Sequence, residues 1–517
     1  MGIHTETTRR VVIGGGLASA ALALTRRPAL GGPFAQAGTL VGDPFTLGVA
    51  SGDPQPGGFV LWTRLAVEPL APDGLGGMPS HSVDVAWEVS PDPQFRQVAQ
   101  SGVVTALPDT AHSVHVEVNG LAPHREYWYR FKVDTWVSPA GRSLTAPDRT
   151  TMPASLTMSF VSCSHFEEGW FTAYRRLAED QPDLVLHLGD YFYGDSQPGR
   201  VRTHVGNGQN LPGYRLSYAQ YRTDPDLQAA HAVAPWLAVW DDHEVADNYA
   251  NLIPSRPADL PHFAQRRAEA YQAYYENMPL RQAQVPVGPD MRLFRRVTWG
   301  QLATFHMLDT RQYRDDQACG DGFRVGCTAA DQPNRTMPGL PEERWLAQGF
   351  TASTARWDII GQQVFFAQQD YAANPKTARL SMDAWDGYTA SRGRVMQSWV
   401  DAGVRNPVVL TGDIHSHYAS DLKLNFDDPH APVVGSELVT SSISSKGDGA
   451  DTEAALLAWN PHIKFQNNLR GYVRTTITPT ELRADFRVVD RVTVKNQPAR
   501  TKASFVLADG VRGLQRV

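Results

Sequence analysis

The sequence predicts a mixed α/β chain in two parts: a β-sandwich over 42–150 and a larger region over 155–517 where strands alternate with helices. Three observations carry this reading. Between 45 and 150, apolar and polar residues alternate with a period of two. From about 155 the pattern changes to short apolar runs separated by helical segments. Those runs end in small or charged residues, the arrangement that gathers loops at the C-terminal edge of a sheet with crossover helices.

The 517-residue chain exceeds what a single core usually organises, so two domains are expected. At 42% hydrophobic and 20% charged, it has ample material for a core. A formal net charge of −6 argues against a role in coating nucleic acid. At the N-terminus, "TTRRVVIGGGLASAALAL" sets Arg9 and Arg10 before a short apolar stretch, and "FAQA" offers a cleavage site after Ala37. Residues 1–37 therefore read as a twin-arginine signal, with an ordinary secretory signal or a buried helix as alternatives. This reading expects export by the twin-arginine machinery to the periplasm or the medium, and no transmembrane segment in the mature protein.

The sandwich strands follow in order. Val83, Val85, Trp87 and Val89 share one face of "HSVDVAWEVS", and Val114, Val116 and Val118 share one face of "HSVHVEV". "NGLAPHREYWYRFKV" places Tyr127, Tyr129 and Phe131 after a turn, like the tyrosine-corner strand of an immunoglobulin or fibronectin type III sandwich. Beyond the linker "TAPDRTTMPAS", strands are expected at "LTMSFVSCS", "DLVLHLGD", "WLAVWDDHE", "QLATFHMLDT" and "NPVVLTGDIHS", with a helix at "WFTAYRRLAEDQP". "YVRTTITPTELRADFRVV" reads as closing antiparallel strands. Of the three cysteines, Cys319 and Cys327 are spaced for a local disulfide in an oxidising compartment. That leaves Cys163 as either a buried inert thiol or a metal ligand.

Four strand ends carry ligand-type residues: Cys163, Asp190 with Tyr193, Asp241 to Glu244, and Asp413 with His415 and His417. Singly, each has an ordinary explanation as a helix cap, a core histidine or a solvated turn. Together they are expected at one edge of one sheet. Clustered carboxylates there would repel one another unless a multivalent cation neutralised them. Thiolate, phenolate and imidazole suit a transition metal, especially iron(III), whereas carboxylate oxygens suit Ca²⁺ and similar ions.

The stretches "SCSHFEEGWFTAYRRLAEDQPDLVLHLGDYFY", "YRTDPDLQAAHAVAPWLAVWDDHEVADNY", "LDTRQYRDDQ", "SMDAWDGY", "NPVVLTGDIHSH" and "TSSISSKGDG" resemble the alkaline phosphatase D family. That family is related to calcineurin-like and purple-acid-phosphatase metallophosphoesterases. The resemblance implies a metallophosphoesterase β-sandwich flanked by helices and a centre of Fe³⁺ with one or two Ca²⁺. By motif, Cys163, Tyr193 and His415 would bind iron, Asp190 would bridge, Asp242 would be a metal ligand where the wider superfamily has an Asn, and Asp413 would turn toward Ca²⁺, with Asn248 a further metal candidate. His243 falls on the catalytic histidine, and Tyr191 is expected to pack. The implied activity is a secreted phosphatase or phosphodiesterase using a metal-activated hydroxide, with a phospholipase D acting on phosphatidylcholine-type lipids as the alternative. An exported, Ca²⁺-stabilised binding protein is the reading from a different class.

Overall fold

The computed structural model describes residues 40–194, 199–373 and 377–517, so the signal segment expected at 1–37 lies outside the described residues. Residues 40–517 form one compact unit built mainly on two large sheets. In the ten-stranded sheet, Leu156–Val161, Leu184–Leu188 and Pro235–Val239 run parallel at the centre. The antiparallel strands Arg470–Ile477, Glu481–Val489 and Ala499–Ala508 extend one side. Central strands such as "LVLHL" and "PWLAV" are continuously buried because both faces are covered. On the outside, helices Thr172–Glu179 and Pro225–Val233 serve as crossovers.

The seven-stranded sheet places Ala303–Met307, Trp357–Gly361, Pro407–Thr411 and Val433–Val439 side by side and parallel. Phe160 and Leu186 of the first sheet share a core with Ile359, Val408 and Leu410 of the second. This corrects the expectation of one edge of one sheet: the ligand-bearing strands divide between two sheets packed face to face. A continuous apolar run reports burial on both faces but carries no information about its hydrogen-bonded neighbour.

Val83–Ser90, Gln100–Ala106 and Glu126–Val133 form a smaller sheet. It packs against Phe59 and Leu61 of Gly58–Arg64 and Val114 of Ser113–Val118. Those partner strands are the edge of the ten-stranded sheet, joined to it through Val49–Gln55, which pairs antiparallel with Gly58–Arg64 and parallel with Pro235–Val239, Ser51 opposite Pro235. One layer of the N-terminal sandwich is thus continuous with the central sheet. The Tyr127 hydroxyl accepts a hydrogen bond from Ala122 N at 3.1 Å, the tyrosine-corner contact. Cys319 and Cys327 are disulfide-bonded, and Cys163 is buried and free.

Candidate metal centre

The C-terminal ends of strands from both sheets meet at the centre. Cys163 N donates to Gly189 O at 3.1 Å, and Ser164 N donates to Asp190 O at 2.8 Å, so two strand-end loops are joined by main-chain bonds. A Cβ on Gly189 would lie 2.4 Å from Asp241 Cβ, and one on Gly412 would lie 2.7 Å from Ser162 Cβ. Glycine before each aspartate is what lets the loops approach so closely. Cys163, Asp190, Asp413 and His415 have φ of +62°, +55°, +60° and +54°, a region unfavourable for residues with a Cβ. Four such residues at one point mark strain held by the surrounding fold for a purpose.

Asp190 is the hub. Its carboxylate belongs to three groups whose potential ligand atoms all lie within 4.8 Å of one another: Cys163, Asp190 and His415; Asp190, Asp242 and His243; Asp190, Asp241 and Asp413. The Tyr193 hydroxyl donates to Asp190 Oδ2 at 2.9 Å and lies 2.8 Å from His415 Nε2, which adds it to the first group. Tyr191 points away and bonds His231 Nε2 at 2.9 Å within the core.

Of the residues singled out in the sequence, Cys163, Asp190, Tyr193, Asp242, His243, Asp413 and His415 are brought together. Asn248 adjoins them: its N–H donates to Asp242 Oδ2 at 2.7 Å, and its side-chain Nδ2 to Asp321 Oδ2 at 2.8 Å. His417 belongs elsewhere. It opens the strand His417–Lys423, fully buried, with Nδ1 accepting from Ser441 N and its ring edge-on to Phe486.

Arg311 and Arg470 escaped the sequence reading, and Glu244 stood in it only as the end of the 241–244 run. Glu244 accepts N–H bonds from Asp190 at 3.1 Å, Tyr191 at 2.6 Å and Asp241 at 2.9 Å, tying two loops to one carboxylate. Arg311 Nε reaches Asp241 Oδ1 at 2.5 Å, and its two terminal nitrogens grip both oxygens of Asp383 at 2.9 Å. Arg470 Nη1 donates to the His415 carbonyl at 2.7 Å and Nε to Ser445 O at 3.0 Å. Replacing Arg470 with Lys is expected to lower metal content more than overall stability, because an ammonium cannot span both carbonyls. Metal analysis beside thermal unfolding checks this.

The electrostatics favour a cation. Burial, then Asp242, Asp241 and Glu244, pushes the Asp190 carboxyl far above its ordinary range. Burial and Asp241 do the same to Asp413. Burial raises Asp241 to about 7 despite Arg311, and burial raises Glu244 to about 8. Asp242 moves the other way: burial opposes its charge, but Arg311 and His243 outweigh it. The Cys163 thiol rises through burial and the nearby Asp190. Asp241 Oδ2 and Asp242 Oδ1 are buried without a hydrogen-bond partner among the described residues. Crowded buried carboxylates whose ionisation is mostly opposed by burial and by one another, with lone pairs left over, fit a multivalent cation. Beside them lies a cavity of about 360 Å³ lined by His165, Tyr193, His243, Asp247 and Arg256.

The PhoD-like phosphatase pattern matches residues 158–486, which contain every one of these ligand-type residues. The chain belongs to the PhoD-like phosphatase family. The N-terminal domain pattern of PhoD-like phosphatases matches residues 34–147. Alkaline phosphatase D of Bacillus subtilis (strain 168) is 47% identical over 484 residues, covering 92% of this chain and 82% of the relative. The solved structure of PhoD superposes with a TM-score of 0.90 at 47% identity, covering 93% of each chain. The family and the α/β β-sandwich architecture expected from the sequence both stand.

Proposed function

We propose that this PhoD-like phosphatase hydrolyses phosphomonoesters and phosphodiesters at a centre of Fe³⁺ and Ca²⁺, and that it acts after export from the cell. The observation that carries this reading is the sharing of Asp190 by three ligand groups of different chemistry. Cys163, Tyr193 and His415 supply the thiolate, phenolate and imidazole that suit a ferric ion. Asp190 would be shared with an oxygen-rich side formed by Asp242 and Asp413, with Asn248 adjoining, a donor set that would suit Ca²⁺. Bound cations would neutralise the substrate phosphate and lower the pKa of an attacking water.

The protein's own groups do the rest. His243 Nε2 lies 3.8 Å from Asp247, and its ring is 4.2 Å from that of Tyr193 at the cavity wall. From there it donates a hydrogen bond to a phosphoryl oxygen or a proton to the leaving alkoxide. Gly189, Gly412 and Glu244 keep the loops close enough for their side chains to act on one substrate. Export is supported by the paired arginines in the sequence and by the Cys319–Cys327 disulfide, which suits an oxidising compartment. Of the aromatics Trp170, Phe171 and Trp385, which could line an apolar route for a lipid, Phe171 and Trp385 are fully buried in the core and Trp170 is partly buried. No structural observation favours a phospholipid, which serves as one arm of the test.

Turnover of a monoester, a diester and phosphatidylcholine, measured beside metal content on the same sample, tests the reading. Cys163→Ala is expected to lose iron and activity together, and full activity without iron overturns the assignment. A visible phenolate-to-iron band is expected to disappear in Tyr193→Phe and persist in Tyr191→Phe. The reverse would exchange the roles of the two tyrosines.

A further inference from the structure

The loop closed by Cys319 and Cys327 touches the metal centre through side chains outside the ligand groups. Asp321 Oδ2 accepts from Asn248 Nδ2 at 2.8 Å. Just before the loop, Gln317 Nε2 donates to the Asn248 carbonyl at 2.8 Å and to Asp383 Oδ1 at 3.0 Å. Asp383 is the carboxylate that grips Arg311, and Arg311 holds Asp241. Asn248 has a φ of +48°, and its N–H holds Asp242. The disulfide loop is therefore one bond from Asn248 and two from Asp242.

Asp321 also sets which end of the Asn248 amide is free. A carboxylate only accepts hydrogen bonds, so the amide nitrogen turns to Asp321 and the amide oxygen is left for a cation. This orientation depends on the loop keeping its shape. Cys319, Gly320 and Gly322 have φ of +56°, +77° and +87°, and such a run is costly to hold in one conformation. Asp321 is exposed, so its single bond to Asn248 competes with water. Covalent closure removes the loop's competing conformations.

We infer that Asp321 is a positioning residue for the cation site and that the Cys319–Cys327 disulfide is the clamp that holds it there. This inference rests on the cation reading above. The test uses the full chain, stripped with a chelator and titrated with Ca²⁺, following heat of binding and melting temperature. Asp321→Ala and the Cys319→Ser/Cys327→Ser double variant are each expected to raise the half-saturating Ca²⁺ concentration by about 10–100-fold, the usual effect of losing a partner that orients a ligand. Asp321→Asn keeps the accepting oxygen and is expected to bind close to wild type.

Three results would overturn the inference. One is half-saturation within about twofold of wild type in both disruptive variants. Another is Asp321→Asn as impaired as Asp321→Ala, which would make the carboxylate charge itself the ligand. The third is an equal loss of melting temperature with and without Ca²⁺, the mark of a general folding defect. A wild-type protein that does not respond to Ca²⁺ would instead sink the cation reading itself.

Discussion

Arg311→Met is expected to destabilise the protein by about 3–5 kcal/mol, the cost of leaving a buried charge without its partner. Arg311 is fully buried and faces Asp241, Asp383 and, at 3.8 Å, Asp242. Arg314 still reaches Asp383 at 3.1 Å, so Asp241 bears most of the loss. Arg311→Lys should recover little, because an ammonium cannot span Asp241 and both Asp383 oxygens together. Denaturant unfolding of the three proteins decides the matter. A loss below about 1 kcal/mol in Arg311→Met would show that the carboxylates are not held as charges.

Asp190→Asn is expected to remove activity and, in cation-free protein, to increase stability. Losing the shared ligand forfeits several kcal/mol of charge stabilisation in the transition state, so kcat/KM should fall by about a thousandfold or more. The stability effect follows from linkage. Asp190, Asp241 and Glu244 have carboxyl groups raised above their unfolded values, the latter two to about 7 and about 8. A raised carboxyl contributes stability below about pH 4, and that contribution is lost as pH rises through its folded value. Cation-free wild type should therefore weaken between about pH 4 and pH 8, with a smaller decline in Asp190→Asn. Supplying cations should reverse the order, since wild type then binds what the variant cannot. Melting curves across pH, with and without chelator, provide the measurement. A steeper decline in the variant would refute the account.

Legibility differed between residues for physical reasons. Asp190 and Tyr193 stood out because an apolar strand ends abruptly in "GDYFY", and a change of period is a local signal. Cys163, Asp242 and Asp413 shared that position at other strand ends. Asp241 also stood at a strand end, but the Arg311 that holds one of its oxygens lies 70 positions away. Glu244 looked like the last letter of a motif, yet it holds main-chain N–H groups 53 and 54 residues earlier. His415 and His417 look alike in "DIHSH". The first lies in a left-handed turn facing Tyr193, while the second enters a strand and turns into the core.

Period, strand ends and residue chemistry, read together, were enough to locate the strands, the ligand-type residues and the need for a cation. These are local properties, written in stretches of ten residues or fewer. Only the folded chain divided the ligand-bearing strands between two facing sheets and joined the N-terminal sandwich to one of them through Ser51 and Pro235. It also returned His417 to the core and placed Asp321 on Asn248. Each of those outcomes depends on distance between residues far apart in sequence, and distance is decided by how the sheets pack.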